Sequence, residues 1–213
     1  MFSRWGDALF CPRALLSAGA PGRVPAGHPA NQKHARSPAL PPARPRSVNN
    51  AGVGPVVRFE KETESTFDGT MDVNVKGAFF VAQEAAKRLI ARKLPGSIIN
   101  ISSIYGLRVG YGHSVYAVSK AALTQMTKAV ALEVCQHGVR VNSVNPGFFR
   151  TELTQEFYDS PKGDDFLKKH VPLQRLGLLH ELDGVMLLLS SDASRFMHGA
   201  VITVDGAHAI SSL

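Results

Sequence analysis

The sequence predicts an α/β fold built on a parallel sheet. Three observations lead there. From Val48 onward, short β-branched runs alternate with longer segments of helical periodicity. Pro-Gly and lone Gly positions punctuate the changes from one to the other. Strand–helix–strand alternation with short turns needs crossover connections, which make neighbouring strands parallel.

Taken in order, Asn74 to Ala91 carries Val75, Ala78, Phe79, Ala82, Ala86, Leu89 and Ile90 at helical spacing, one buried stripe, and Pro95-Gly96 stops it. Asn74 reads as the residue that opens this helix, since Asn favours N-caps. Ser97–Ser102 (SIINIS) is a short apolar β-branched run that suits a buried parallel strand. Ser114 to Glu133 reads as a long helix with Gly138 beyond it, and Val139–Asn145 (VRVNSVN) as another strand, ended by Pro146-Gly147. A helix over Leu179–Ser190 and a last strand over Ala200–Asp205 complete the pattern.

Composition separates the chain into two unlike parts. The 213 residues carry a formal net charge of +7, but residues 1–47 hold seven Lys or Arg against one acid, Asp7, and the rest is nearly balanced at +1. The same 47 residues hold eight of the 13 prolines, which remove backbone donors and fix φ, so this stretch reads as a disordered, basic, Pro-rich leader. The folded domain is expected at 48–213. The basic excess therefore sits on a tail, which argues against a nucleic-acid-binding face. No apolar run reaches the ~18 residues a membrane helix needs. Two cysteines, Cys11 and Cys135, form neither a disulfide framework nor a metal-ligand spacing, so no metal site is expected and a reducing, cytoplasmic setting is the default. An Arg-rich, acid-poor leader also resembles an organelle transit peptide, which leaves a mitochondrial or other organellar address open.

Several side chains have chemical potential. Tyr116 and Lys120, spaced i, i+4, share one helix face. Bringing a phenol from ~10 to near 7 asks for about 4 kcal/mol, and a unit positive charge at about 4 Å supplies about that much at an effective dielectric of 20. Alone, such a pair reads as a solvated surface pair. Ser103 follows the strand SIINIS, and side chains at the carboxyl ends of parallel strands face the ligand crevice. There its hydroxyl would donate to an oxygen gaining negative charge, while read alone it is a turn serine. Asn49 to Gly52 and Pro146-Gly147 read first as turns.

Together these motifs are far more specific. NNAG (49–52), NVKG (74–77), NISS (100–103), YAVSK (116–120), VNSVNPG (141–147) and VDG (204–206) stand in the order and spacing of the short-chain dehydrogenase/reductase family, which residues 48–206 resemble almost continuously. The wording is nearest the 3-oxoacyl-carrier-protein reductase-like branch and the sugar and secondary-alcohol dehydrogenases. The resemblance implies a Rossmann-like parallel sheet and reversible hydride transfer between NAD or NADP and a carbonyl/alcohol pair. It implies Tyr116 as general acid/base, Lys120 lowering its pKa and holding the nicotinamide ribose, Ser103 polarising the carbonyl, and Asn74 holding a water in a proton relay through Lys120. Asn50, Ala51 and Gly52 would line the cofactor crevice with Tyr116 and Lys120, and Pro146, Gly147 and Thr151 would meet the nicotinamide end. The substrate segment would lie around Leu153–Leu176. His198 stands where the family usually has Thr, a mild departure.

One departure carries weight. The family begins with a strand, a T-G-x-x-x-G-x-G turn and a helix, whose glycines let backbone approach the pyrophosphate. Gly19, Gly22 and Gly27 have the wrong spacing for it, and prolines surround them. The expectation is an incomplete sheet lacking its N-terminal βαβαβ half, with weak cofactor binding, an exposed strand edge and an uncovered apolar helix face. The partners implied are a small carbonyl or alcohol substrate and further subunits in a homo- or hetero-oligomer. The alternative is a catalytically inactive isoform that associates with full-length subunits through its long helices.

Overall fold

The computed structural model describes residues 45–151, 154 and 158–211. Most of the proline-rich leader, residues 1–44, lies outside them. Four strands, β1 (Arg46–Asn49), β2 (Gly96–Ile101), β3 (Val139–Pro146) and β4 (Val201–Val204), pair in the order β1-β2-β3-β4, every neighbour parallel. The α/β, Rossmann-like expectation is met. β1 begins at Arg46, inside the stretch read as leader, with Arg46 opposite Ser97 and Asn49 opposite Asn100.

Helices cover both faces. Ile98 and Ile99 are adjacent in β2, so the pleat sends them to opposite sides, and both are wholly buried. Ile98 packs with Ala82, Ala86 and Leu89 of α2 (Ala78–Ala91) and Ala131 and Val134 of α3 (Ser114–Val134). Ile99 packs with Val144 and Leu189, beside Val185 and Met186. Truncating either isoleucine to alanine costs about 2–5 kcal/mol by the usual cavity rule. A polar strap adds direction: Asn49 Nδ2 donates to Asn100 Oδ1 at 2.8 Å, and Asn100 Nδ2 donates to Thr127 Oγ1 of α3 at 2.9 Å. It joins β1 to α3 across β2 and fixes the chain just before Asn50.

The first helix differs from the sequence expectation. It starts ten residues before Asn74, as α1 (Glu64–Met71), held at its start by a reciprocal Thr63/Thr66 capping box, and passes through a π-helical segment, Asp72–Gly77, into α2. Asn74 is thus a mid-helix residue, wholly buried, and not a cap. The widened turn is what lets a polar side chain leave the helix inward. A further helix, α4 (Pro161–His170), is capped by the Ser160 side chain on Gly163 N and lies within the expected substrate segment. Its charges pair along its exposed surface, Lys168 with Asp164 at 2.6 Å and Lys169 with Asp165 at 2.8 Å. Leu153 and Gln155–Phe157 of that segment lie outside the described residues. The expected helix at Leu179–Ser190 divides into a 3-10 turn, Leu179–Leu182, and α5 (Asp183–Ser190). The last strand spans four residues instead of six.

Apolar side chains stay uncovered on the outer surfaces. Val48 is 46% exposed, Phe80 55% and Leu132 79%. No helix among the described residues is long and apolar enough to cross a membrane.

Candidate active site

β2 ends at Ile101, and the next two serines point different ways. Ser102 Oγ donates to Lys120 O at 2.9 Å and lies 3.0 Å from Thr124 Oγ1, which ties the strand end to α3. Ser103, in extended backbone, accepts from Tyr105 N at 3.1 Å and caps a single 3-10 turn, Ile104–Gly106. That turn lies against α3 so closely that a Cβ on Gly106 would stand 2.9 Å from Lys120 O. The Ser103 hydroxyl lies near enough to the Tyr116 phenol to favour its ionised form.

Lys120 is 3% exposed. Its ammonium donates to Ile101 O at 3.0 Å and lies 5.6 Å from the centre of the Tyr116 ring. Asn74 reaches the same place from the π segment. Its Oδ1 accepts from Val53 N at 2.8 Å, and its Nδ2 donates to Val53 O at 2.8 Å and Ser119 Oγ at 2.9 Å. Ser119 Oγ donates in turn to Tyr116 O at 2.7 Å. A Cβ on Gly52 would stand 3.2 Å from Lys120 Nζ and 3.4 Å from Asn74 Oδ1. The structure therefore brings together Asn74, Ser103, Tyr116, Lys120 and the Gly52 loop, at the carboxyl ends of β1 and β2. Asn50 and Ala51 lie exposed on the same loop.

Pro146 closes β3, and Gly147 and Thr151 follow it. Gly147 N donates to Val204 O at 2.9 Å, and a Cβ on it would meet Asp205 Cβ at 2.6 Å. Thr151 N and Oγ1 both engage Thr154 Oγ1, at 2.9 and 3.0 Å. Among the described residues no hydrogen bond joins these three to Tyr116 or Lys120.

The electrostatics correct one expectation. The Tyr116 pKa is not drawn down by the lysine. Burial pushes its pKa up, and the hydrogen bond from Ser103 offsets only part of that. Burial also lowers Lys120, to about 8. Both groups leave water, so each favours its uncharged form, and the ammonium spends one donor on the Ile101 carbonyl.

Sequence reasoning missed an aromatic wall. Tyr105 lies 6.0 Å from Tyr116, 5.0 Å from His113 and 6.1 Å from Phe148, ring centre to centre, and Phe148 lies 5.1 Å from His208. Arg108 donates to the His208 carbonyl, so the C-terminal turn is held over the wall. His113 had a local signal, being three residues before Tyr116; the other contacts are long-range and leave none.

A serine, a tyrosine and a lysine thus gather at the carboxyl edge of a parallel sheet with helices on both faces, an α/β, Rossmann-like class of protein. Residues 47–207 match a family model described as enoyl-(acyl carrier protein) reductase, and the chain belongs to the short-chain dehydrogenase/reductase family. It is 35% identical to a gluconate 5-dehydrogenase of Gluconobacter oxydans over 77% of this chain and 64% of that protein. It is 36% identical to an L-xylulose reductase of Homo sapiens over 75% of this chain and 65% of the relative. A gluconate 5-dehydrogenase from Burkholderia cenocepacia J2315, solved in complex with NADP and tartrate, superposes with a TM-score of 0.74 at 34% identity, covering 78% of this chain and 65% of that one. The chain thus spans slightly under two thirds of the length of these relatives.

Proposed function

We propose that this chain carries the carbonyl-side catalytic machinery of an NAD(P)-dependent oxidoreductase that interconverts a carbonyl and a secondary alcohol. The observation that carries the reading is the convergence of Ser103, Tyr116, Lys120 and Asn74 around the loop at Gly52. The residues fit the nicotinamide-ribose end of the cofactor. Lys120 has ammonium hydrogens beyond the one spent on Ile101 O, and the glycine at 52 leaves open the space a side chain would take from its Nζ. A bound nicotinamide would supply or accept the hydride.

The chain's own residues handle the proton and the charge. Ser103 donates to the substrate oxygen as negative charge develops there. Tyr116, a phenol protonated at neutral pH, gives its proton to that oxygen when the carbonyl is reduced, and as phenolate takes it back from the alcohol in the reverse direction. Lys120 holds the ribose and stabilises the phenolate that remains. Asn74 keeps the Gly52–Val53 backbone where both can reach it.

The test is oxidation of NADH or NADPH by small ketones, followed by absorbance, with Tyr116→Phe as control. Turnover lost in the control supports the reading. Equal turnover in both proteins, or no cofactor binding at millimolar concentration, overturns it.

A second reading rests on its own observation. The end of α1, the π segment and the start of α2 form a shallow groove of about 400 Å³ lined by Met71, Asp72, Val75, Lys76, Phe79 and Phe80. Such a surface suits a chain that joins longer subunits of the same family without turning substrate over. Stable association with such a subunit, together with no turnover of its own, favours this reading.

A further inference from the structure

We infer that His113 is a substrate-binding residue, whose imidazole Nε2 donates a hydrogen bond to a hydroxyl beside the reacting carbonyl and so favours a polyhydroxylated ketone over a plain one. The inference rests on the catalytic reading above and deepens it.

His113 immediately precedes α3 and lies one turn before Tyr116, its ring 6.2 Å from the phenol ring and 5.0 Å from that of Tyr105. Its backbone is fixed on three sides. His113 N donates to Gly110 O at 3.1 Å, Ala117 N donates to His113 O at 2.8 Å, and a parallel bridge pairs the residue with Val57. Held in this way, the ring keeps a set position beside Tyr116.

At the start of a helix a polar side chain ordinarily caps a backbone N–H, and this one caps nothing. Nδ1 is closed off from solvent with no hydrogen-bond partner, while Nε2 is not among the closed-off atoms and makes no hydrogen bond among the described residues. A buried N–H without an acceptor is the costlier kind of orphan, more so than an unused lone pair. The proton therefore belongs on Nε2, and the ring presents an outward donor. Burial keeps the imidazole neutral, so it suits an uncharged oxygen. Side chains three apart at a helix start stand roughly 5–6 Å apart at Cβ. A carbonyl oxygen at Tyr116 and a hydroxyl one or two carbons along the same molecule span that gap.

The experiment compares a five-carbon ketose with 2-pentanone as substrates, reading the ratio of their kcat/KM values. In His113→Phe, which keeps a ring against Tyr105, that ratio falls about tenfold, carried by KM for the ketose, as the loss of one neutral hydrogen bond implies. In His113→Gln, which keeps a donor, most of the preference returns. A ratio within twofold of wild type in His113→Phe overturns the proposal. If neither substrate turns over, the catalytic reading fails by itself. Calorimetric binding of the ketose then decides: about tenfold weaker binding in His113→Phe supports the site, and equal or absent binding overturns it.

Discussion

Replacing Gly54 with alanine adds one methyl carbon at a place where the structure has no room for it. An ideal Cβ there stands 2.6 Å from Tyr116 Cδ2, 3.0 Å from Cε2 and 3.1 Å from Cγ. Ordinary carbon contacts lie at about 3.5–4.0 Å, so the ring or the loop recedes by about 1 Å. The backbone at Gly54 is outside the left-handed region, so alanine brings no torsional penalty of its own. The ring cannot retreat freely, because Tyr105 and His113 stand across from it at 6.0 and 6.2 Å. Overpacking of this kind costs about 1–3 kcal/mol, and about 1 Å of misplacement at a reacting group costs on the order of 100-fold in rate. Steady-state kcat, thermal unfolding and ultraviolet titration of the phenol measure the three effects separately. Gly69, in α1, is the control: nothing lies within 4 Å of a Cβ there, so Gly69→Ala stabilises by about 0.5–1 kcal/mol with kcat unchanged. A Gly54→Ala protein with kcat within threefold of wild type and an unchanged phenol titration would refute the placement of the ring and its role together.

Three further outcomes follow from the same geometry. Tyr116→Phe is expected to lower kcat by about 10²–10⁴, the range of general acid catalysis, while thermal unfolding moves little; a kcat within tenfold would remove the phenol from the mechanism. Burial lowers Lys120 to about 8 from its ordinary 10.5, so between those values the unfolded chain holds a proton that the folded chain has released. Stability relative to Lys120→Met is therefore expected to rise from pH 8 toward pH 10.5, by about 3 kcal/mol in all, and flat denaturant midpoints across that range would contradict it. Tyr116, shifted upward, acts oppositely and only above pH 10. Asn74→Ala abandons both polar groups of Val53 and one of Ser119, and a loss of about 2–4 kcal/mol is expected in urea unfolding, with less than 1 kcal/mol arguing that the Gly52–Val53 loop is held elsewhere.

The central sheet was legible because its signals are local. Ile98, Ile99, Val141 and Val144 are β-branched, wholly buried and bounded by Gly or Pro, so β2 and β3 fall within a residue or two of where the run of side chains puts them. α3 ends at Val134, and Gly138, the glycine read beyond it, closes the 3-10 turn that follows with φ of 72°. α1 and α4 were not legible, since ESTFDGTM and PKGDDFLKKH carry too few apolar residues for a stripe. Only their caps, Thr63 with Thr66 and Ser160 with Pro161, announce them. At the site, the Ser103–Tyr116–Lys120 grouping follows from motif spacing. The direction of the pKa shifts does not, because desolvation depends on what Gly54, Tyr105 and Ile101 place around the phenol and the ammonium. Nor does the aromatic wall, where Tyr105, Phe148 and His208 meet from distant parts of the chain.

The π-helical stretch at Asp72–Gly77 acts as a phase shifter between the two halves of one long rod. It holds one residue more than regular winding accommodates, and each residue of an α-helix turns the register by about 100°. Deleting a single residue there would restore regular winding and close the widened turn, and Asn74 would lose its hold on the Val53 backbone. At these six positions the count of residues is itself part of the site's geometry.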